Sequence, residues 1–221
     1  MEKHRILLND QWIEYQIIYK NIKSVYFKVE SGHLIVKAPY SISQSFIEDH
    51  LHLYQDKLLK QINHFLPLYD YQPDGYVYIF GESYHLVMRD VGKKQCQIHD
   101  HDLYVYHSQL EQIVELFLRK MLLDYIEERV IYYLAHDFDL DMPQIVIKKY
   151  KARWGSCYYK ENKISFNLYL IHLDKELIDY VIVHELTHFL EANHSSHFYH
   201  EIEKRMPDYR NRQKRLKEIS I

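Results

Sequence analysis

Glycine, proline and cysteine are scarce in this chain of 221 residues, which has five glycines, five prolines and two cysteines. Average usage is about 7% for glycine and about 5% for proline, so collagen-like repeats, flexible linkers and proline-rich disordered tracts are excluded. The glycines stand at Gly32, Gly75, Gly81, Gly92 and Gly155. Because this spacing fits neither G-x-G-x-x-G nor G-x-x-x-x-G-K, nucleotide binding through a glycine-rich phosphate loop is excluded too.

Long hydrophobic runs and excess charge of one sign are also lacking. No run approaches the roughly 18 residues of a membrane span, and the apolar patch 6–8 is too short for a signal peptide. Two cysteines can form at most one disulfide, which favours a reduced compartment. The net charge of −3 gives no general affinity for nucleic acid, although 144–163 and 203–221 are rich in lysine and arginine. We therefore predict a cytoplasmic protein with no membrane partner.

The period of the hydrophobic pattern changes near residue 107. Before it, short alternating segments predict strands, and a helix capped by Ser41 or Ser43 runs towards Pro67. After it, helical spacing dominates around a β-hairpin predicted from strands at 144–154 and 163–169. We predict an α+β fold with an N-terminal β-rich region over 1–107, which includes one helix, and a second domain over 108–221.

The segment 184–188 has the sequence H-E-L-T-H, and hydrophobic spacing predicts a helix over 174–191. Positions four apart on a helix lie about 40° apart around the axis and one turn apart along it. His184 and His188 can therefore bind one metal ion, with Glu185 close enough to take a proton from an activated water molecule. We predict Glu185 as the general base.

The third predicted ligand is His194, which follows His188 by six residues. Asn193 tolerates the left-handed conformation that ends helices, so the chain can turn back and bring His194 to the metal. If His194 is only a helix-end histidine, Glu203 is the best replacement. Three neutral imidazoles leave one zinc position open, as in catalytic sites. We predict Zn²⁺, with another divalent transition metal as the alternative, because imidazole also binds nickel, cobalt and copper.

Further short motifs flank this segment. They are R-W-G-S-C at 153–157, an Asn in the next strand at Asn167, N-H-S at 193–195 and M-P-D at 206–208. Together with H-E-L-T-H at 184–188, they resemble the YgjP-like metallopeptidase domain family. The resemblance implies a zincin-like C-terminal domain with β-hairpin, active-site helix and C-terminal helices. It implies zinc on the three histidines and a relation to the SprT-like proteases, and it brings no settled substrate.

The N-terminal half is similar to the family as well, at Ala38-Pro39 and at Phe80-Gly81-Glu82. The chain departs from the family pattern at two places. Phe198-Tyr199 stands where the family often has Phe-Trp, which is a conservative change. Asn-Ile-Lys-Ser at 21–24 stands where the family has an arginine-rich turn, so contacts made by those arginines do not carry over.

The motifs predict a hydrolase and leave its substrate open. For a metallopeptidase, the strand at 162–169 could pair with an extended peptide. The first alternative is a nucleoside triphosphate pyrophosphohydrolase, in which Arg153 and the lysines at 148, 149 and 151 would hold phosphates. The second is a SprT-like, nucleic-acid-associated protease that uses the basic segment 203–221.

A non-enzymatic hypothesis is a binding module that zinc stabilises. Glu185 argues against this hypothesis, because a structural zinc site needs no general base. Beyond the metal ligands, we predict Arg153, Asn167 and His197 as residues that contact the substrate or support the ligands. No other cofactor is predicted.

Overall fold

This computed structural model describes residues 3–9, 11–30, 33–63 and 68–219. These residues form three β-sheets and six α-helices, joined by turns and loops. The α+β class predicted from the sequence is confirmed. Contacts divide the chain into two compact units, Met1–Pro67 with Lys217–Ile221, and Leu68–Leu216. None of the described helices combines the length and the apolar character that crossing a membrane requires.

The first unit is a four-stranded sheet with two helices. Its elements are β1 (Lys3–Leu8), β2 (Gln11–Lys20), β3 (Tyr26–Glu30), β4 (His33–Pro39), α1 (Gln44–Leu53) and α2 (Gln55–Asn63). The strand order is β1-β2-β4-β3, with β2 and β4 parallel and the other pairs antiparallel. Alternate strand residues and one stripe of the helices share a buried core, which includes Tyr15, Leu34, Val36, Ile47 and Leu51.

The helix predicted to run from the serine cap towards Pro67 is two helices. Ser43 caps α1 by accepting a hydrogen bond from the N–H of Phe46, and Tyr54 ends that helix before α2 begins. The hairpin turn predicted at Ser31-Gly32 lies outside the described residues, and so does Pro67.

The second unit begins with a five-stranded sheet followed by a long helix. Its elements are β5 (Tyr69–Asp70), β6 (Tyr76–Ile79), β7 (Glu82–Met88), β8 (Cys96–His99), β9 (Asp102–Val105) and α3 (Leu110–His136). The strand order is β5-β6-β7-β9-β8. The domain boundary predicted near residue 107 followed the change of hydrophobic period. Contacts instead group these strands with the later helices, because they pack against α3 and against residues 168–172.

The second sheet of this unit carries the R-W-G-S-C motif. Its strands are β10 (Gln144–Lys148), β11 (Gly155–Tyr158) and β12 (Lys163–Asn167), in the order β10-β12-β11. The hairpin predicted from strands at 144–154 and 163–169 is wrong in its first strand: β10 runs parallel to β12, and β11, which lies where the turn was predicted, is the antiparallel partner of β12. The prediction that the strand at 162–169 pairs with a peptide is wrong, since β12 is paired on both sides and β11 lies at the edge.

Three helices complete the unit. They are α4 (Lys175–Thr187), α5 (Ser196–Arg205) and α6 (Tyr209–Glu218). The helix predicted over 174–191 is therefore shorter at its C-terminal end, where His188 is the capping residue. The 188–190 turn and the loop after it lead the chain back to α5.

Candidate metal centre

The helix α4 has one apolar side and one side that carries the histidines. Ile178, Ile182 and Leu186 are fully buried, because their helical spacing places them on one stripe facing the core. His184 and His188 are half-buried on another face. Because α4 ends at Thr187, the chain can reverse within a few residues, and His194 returns to the first two histidines.

The three predicted ligands come together. Nitrogen atoms of His184, His188 and His194, one from each ring, all lie within 4.8 Å of one another. The Nε2 atoms of His184 and His194 are 3.0 Å apart. Nδ1 of His188 lies 3.2 Å from the backbone carbonyl oxygen of Glu191. Because a carbonyl oxygen can only accept, Nδ1 carries the hydrogen and Nε2 keeps a lone pair that can bind a metal.

Burial favours the neutral imidazole at His184 and at His188. Burial, helped by the neighbouring His188 and His194, lowers the pKa of His184 to about 3. Burial also lowers the pKa of His188, against the opposing effect of the Glu191 carbonyl. Neutral imidazole is the form that binds metal, and three such nitrogens are a donor set that Zn²⁺ accepts. The residues present therefore fit a zinc ion.

An aromatic ring lies against all three imidazoles. The centroid of the fully buried Phe198 ring is 4.9 Å from that of His184, 4.6 Å from that of His188 and 4.8 Å from that of His194. Phe198 is held there because Ser195 caps α5 by accepting a hydrogen bond from its N–H, at 3.2 Å. Sequence reasoning identified Phe198 only as part of the aromatic pair after N-H-S and did not place it at the metal centre. Its position three residues after a helix-capping serine is the sequence feature that could have indicated this contact.

Glu185 is buried beside the edge strand β11. Only 5% of the residue is exposed. Burial raises the pKa of Glu185 to about 8, while a hydrogen bond from the backbone of Cys157 and the positive charge of Arg153 act in the opposite direction. Gly155 leaves the space that the carboxylate fills, since a Cβ there would lie 2.6 Å from Oε1 of Glu185. Three residues of the R-W-G-S-C motif, Arg153, Gly155 and Cys157, therefore interact with the predicted general base.

Asn167 is fully buried, and its amide holds the loop that precedes β11. Nδ2 donates to the carbonyl oxygens of Tyr150 and Arg153, at 3.0 and 2.9 Å. Oδ1 accepts from the N–H groups of Tyr150 and Tyr169, both at 3.3 Å. With both amide atoms engaged by backbone groups, Asn167 supports the Arg153 loop.

The other predicted residues lie at the surface. Arg153 is exposed, with its guanidinium carbon 5.4 Å from the centroid of the Tyr150 ring. His197 is exposed in the first turn of α5, one position before the ring that contacts the histidines. Glu203 is exposed, 3.8 Å from the guanidinium of Arg210, and does not belong to the cluster of three histidines.

A cluster of three imidazoles beside a buried carboxylate is an arrangement that suits a metal-dependent hydrolase. The chain belongs to the YgjP-like metallopeptidase domain family, whose model matches residues 23–219.

Two solved structures are similar to part of the chain. The metallopeptidase zymogen of Pyrococcus abyssi abylysin is 23% identical over 44% of this chain and 90% of that chain, with a TM-score of 0.34. The metallopeptidase zymogen of Methanocaldococcus jannaschii jannalysin is 26% identical over 41% of this chain and 92% of that chain, with a TM-score of 0.37. The comparison with curated proteins gives no match.

Proposed function

We propose that the protein is a zinc metallopeptidase of the H-E-x-x-H type. In this proposal His184, His188 and His194 hold the metal, and Glu185 is the general base. The observation that supports it most strongly is the convergence of three imidazole nitrogens within 4.8 Å of one another, beside the helix that carries a buried glutamate. Membership of a metallopeptidase domain family supports the same class of reaction.

The chain's own residues would orient the reactants. Bound zinc supplies Lewis-acid polarisation of the scissile carbonyl and makes a water molecule more acidic. Glu185 takes a proton from the attacking water and returns it to the leaving amine. Its carboxylate accepts the N–H of Cys157 and rests on Gly155, so its direction is fixed before substrate arrives. The Glu191 carbonyl orients the ring of His188 in the same way.

The edge of the second sheet suggests where a peptide would lie. Among the described strands, β11 pairs only with β12, so its other edge can accept an extended chain. Gly155 and Cys157 belong to β11 and contact Glu185. A peptide paired with this edge would therefore pass next to the general base.

A nucleoside triphosphate pyrophosphohydrolase is the second candidate. The exposed guanidinium of Arg153 lies close enough to Glu185 to lower its pKa, and such a group can bind a phosphate. The rest of the predicted phosphate cluster is weaker, because Lys149 forms an ion pair with Glu115. We therefore rank peptide hydrolysis first.

Nucleic-acid coupling is not part of the proposal. Most cations of the basic C-terminal segment form ion pairs with acidic residues, namely Lys204 and Arg205 with Glu201, Arg210 with Glu203, Arg212 with Asp208, and Arg215 with Asp174 and Glu176. Cations in ion pairs bind phosphates less well than free ones. This segment is therefore expected to bind nucleic acid more weakly than its number of lysines and arginines indicates.

The test combines metal analysis with an activity panel. We expect one zinc per wild-type chain and cleavage of an unstructured protein such as reduced casein. His184→Ala and His188→Ala should lose both, whereas Glu185→Gln should keep the metal and lose about 100-fold or more in rate. His200→Ala changes an exposed histidine on α5 and serves as the matched control.

The same panel separates the two candidates. Release of pyrophosphate from nucleoside triphosphates, lost in Arg153→Ala and unaccompanied by peptide cleavage, would replace the first candidate with the second. Absence of any stoichiometric transition metal, together with an unchanged His184→Ala variant, would contradict both.

A further inference from the structure

A groove of about 540 Å³ lies within the first unit. Residues 23–25, just before β3, and Phe27 of β3 form one wall, and α1 and α2 form the other. Seven of its eleven lining residues are apolar or aromatic, namely Val25, Phe27, Pro39, Ile42, Phe46, Tyr54 and Leu58. Two of the rings reach solvent, since Phe46 is 42% and Tyr54 is 48% exposed. A concave surface with exposed aromatic rings is typical of a site that binds a partner.

The groove runs beside a free sheet edge. In the described part of the first unit, β3 is the last strand of the order β1-β2-β4-β3 and pairs with β4 alone. The outer edge of such a strand presents backbone N–H and C=O groups that an added strand can pair with. Val25 and Phe27 are two apart and therefore share the face that lines the groove. A chain added to β3 would place its alternate side chains over the same groove.

The charge of the lining selects among partners. Two of its residues, Lys23 and Lys57, are cationic, and none is acidic. Lys23 and Lys57 are exposed and come from opposite walls. Nδ1 of His50 contacts the carbonyl oxygen of Phe46 at 2.8 Å, so its ring is held in place above the apolar floor. Carboxylates on a ligand would find cations on both sides.

We propose that this groove binds an extended acidic peptide segment, whose apolar side chains fill the groove while its backbone adds a strand to the edge of β3. The aromatic floor supplies apolar contact area, the strand edge supplies backbone hydrogen bonds, and the two lysines select Asp or Glu over Lys or Arg. The groove belongs to the first unit and the histidine cluster to the second, and this inference does not depend on the proposed peptidase activity.

The test measures binding to the full chain carrying Glu185→Gln, which prevents cleavage of the probe. The probe is a fluorescein-labelled short peptide that carries Glu, Val, Phe and Glu at alternate positions, on one face of a strand, with Ser between them. Its binding is followed by fluorescence anisotropy. The comparison peptides replace Glu with Lys, or replace alternate residues with proline to remove backbone donors. We expect the lysine and proline peptides to bind at least about tenfold more weakly, which is about 1.4 kcal/mol.

Charge-reversal variants locate the site. Lys23→Glu combined with Lys57→Glu should weaken binding about tenfold, and the loss should shrink at high salt. Lys20→Glu changes an exposed lysine at the end of β2 and should leave binding within about twofold. Hydrogen exchange is measured on the chain with an unmutated groove, so the result does not depend on how substitutions there affect folding. Bound peptide should slow the exchange of the backbone amides of β3.

Three results would overturn the proposal. Equal binding of the lysine and glutamate peptides would contradict the charge selection, and equal binding of the proline peptide would contradict strand addition. Self-association of the chain that Phe46→Ala abolishes, with no peptide binding, would show that a second copy occupies the groove instead.

Discussion

The α-carbon of Gly155 lies directly against the carboxylate of Glu185. A Cβ built on Gly155 would be 2.6 Å from Oε1 and 2.8 Å from Cδ of Glu185, closer than real Cβ contacts. The glycine is thus required for space. The contact joins the R-W-G-S-C motif to the H-E-x-x-H segment, so the edge strand β11 lies against the proposed general base.

Gly155→Ala should therefore displace the carboxylate of Glu185 while leaving the three histidines in place. We expect the rate of cleavage of an unstructured protein to fall about 100-fold, since a shift of about 1 Å in a reacting group has that effect. Zinc content, measured by elemental analysis, should stay at one per chain.

The shorter side chain of Glu185→Asp provides the matched background. The aspartate carboxylate lies farther from residue 155, so it leaves room for the alanine methyl group. Adding Gly155→Ala to the Glu185→Asp variant should therefore lower the rate of cleavage by less than about threefold. Equal losses in the two backgrounds would mean that the alanine acts through general destabilisation, which thermal unfolding of each variant would also reveal.

The ring of Phe198 is expected to set the positions of the three imidazoles. Phe198→Leu keeps an apolar side chain in a fully buried position, so the free energy of unfolding should fall by only about 1 kcal/mol. Zinc affinity should fall about tenfold, because residues that orient metal ligands typically contribute that much. Competition with a chromophoric chelator measures the affinity.

Phe138→Leu is the control, because Phe138 is 4% exposed and lies under the guanidinium of Arg205, with 4.1 Å between Cζ and the ring centroid. It should cost a similar amount of stability and leave zinc affinity unchanged. A parallel loss of zinc affinity in both variants would show that the effect comes from stability alone.

The part of the site that sequence predicted is the part governed by local geometry. His184, Glu185 and His188 share one helix, so helical spacing alone predicts their arrangement. Gly155 and Phe198 reach the same site from β11 and from α5, through contacts that no spacing rule describes. The resemblance to the family indicated that both motifs matter without indicating that they touch.

The fold shows the same division. Alternation predicted the strands that became β10 and β12, but it carries no information about which strands pair. The chain between the parallel strands β10 and β12 contains a third strand, β11, at residues where the sequence pattern predicts only a turn. The prediction of one helix in the first unit failed at Tyr54, because continuous hydrophobic spacing does not reveal a break of one residue.

Asn167 is expected to support the site through stability. Asn167→Asp has the same shape, but it removes both donors and turns acceptor oxygens towards the carbonyls of Tyr150 and Arg153. We expect a loss of about 3 kcal/mol in the free energy of unfolding at neutral pH, since a buried group is left unsatisfied and charged. Urea unfolding measures this loss.

Asn162→Asp is the matched control for that change. Asn162 is exposed, has a left-handed backbone with φ of 46° that aspartate also tolerates, and donates to one carbonyl oxygen at 3.2 Å. We expect a loss below about 1 kcal/mol. An unchanged stability in Asn167→Asp, combined with lost activity, would instead indicate a direct contact of Asn167 with substrate.

His172 should make the stability of the second unit depend on pH. It is 4% exposed, and its Nδ1 lies 2.7 Å from the carbonyl oxygen of Tyr78, with Tyr69 and Tyr169 around the ring. Burial lowers its pKa from 6.5 to about 4, against smaller opposing effects of the Tyr78 carbonyl and of Glu115. The unfolded chain therefore takes up a proton between these values and the folded chain does not.

Stability supplied by neutral His172 is thus complete above pH 6.5 and is lost as the pH falls from 6.5 to 4. The loss should reach about 3 kcal/mol, from the size of the pKa difference. His172→Asn keeps a donor where Nδ1 stands and cannot titrate, so urea unfolding should show a shallower decline over this range. His101→Asn, at an exposed turn, should retain the wild-type decline. The same steep decline in His172→Asn would assign the pH dependence to other groups.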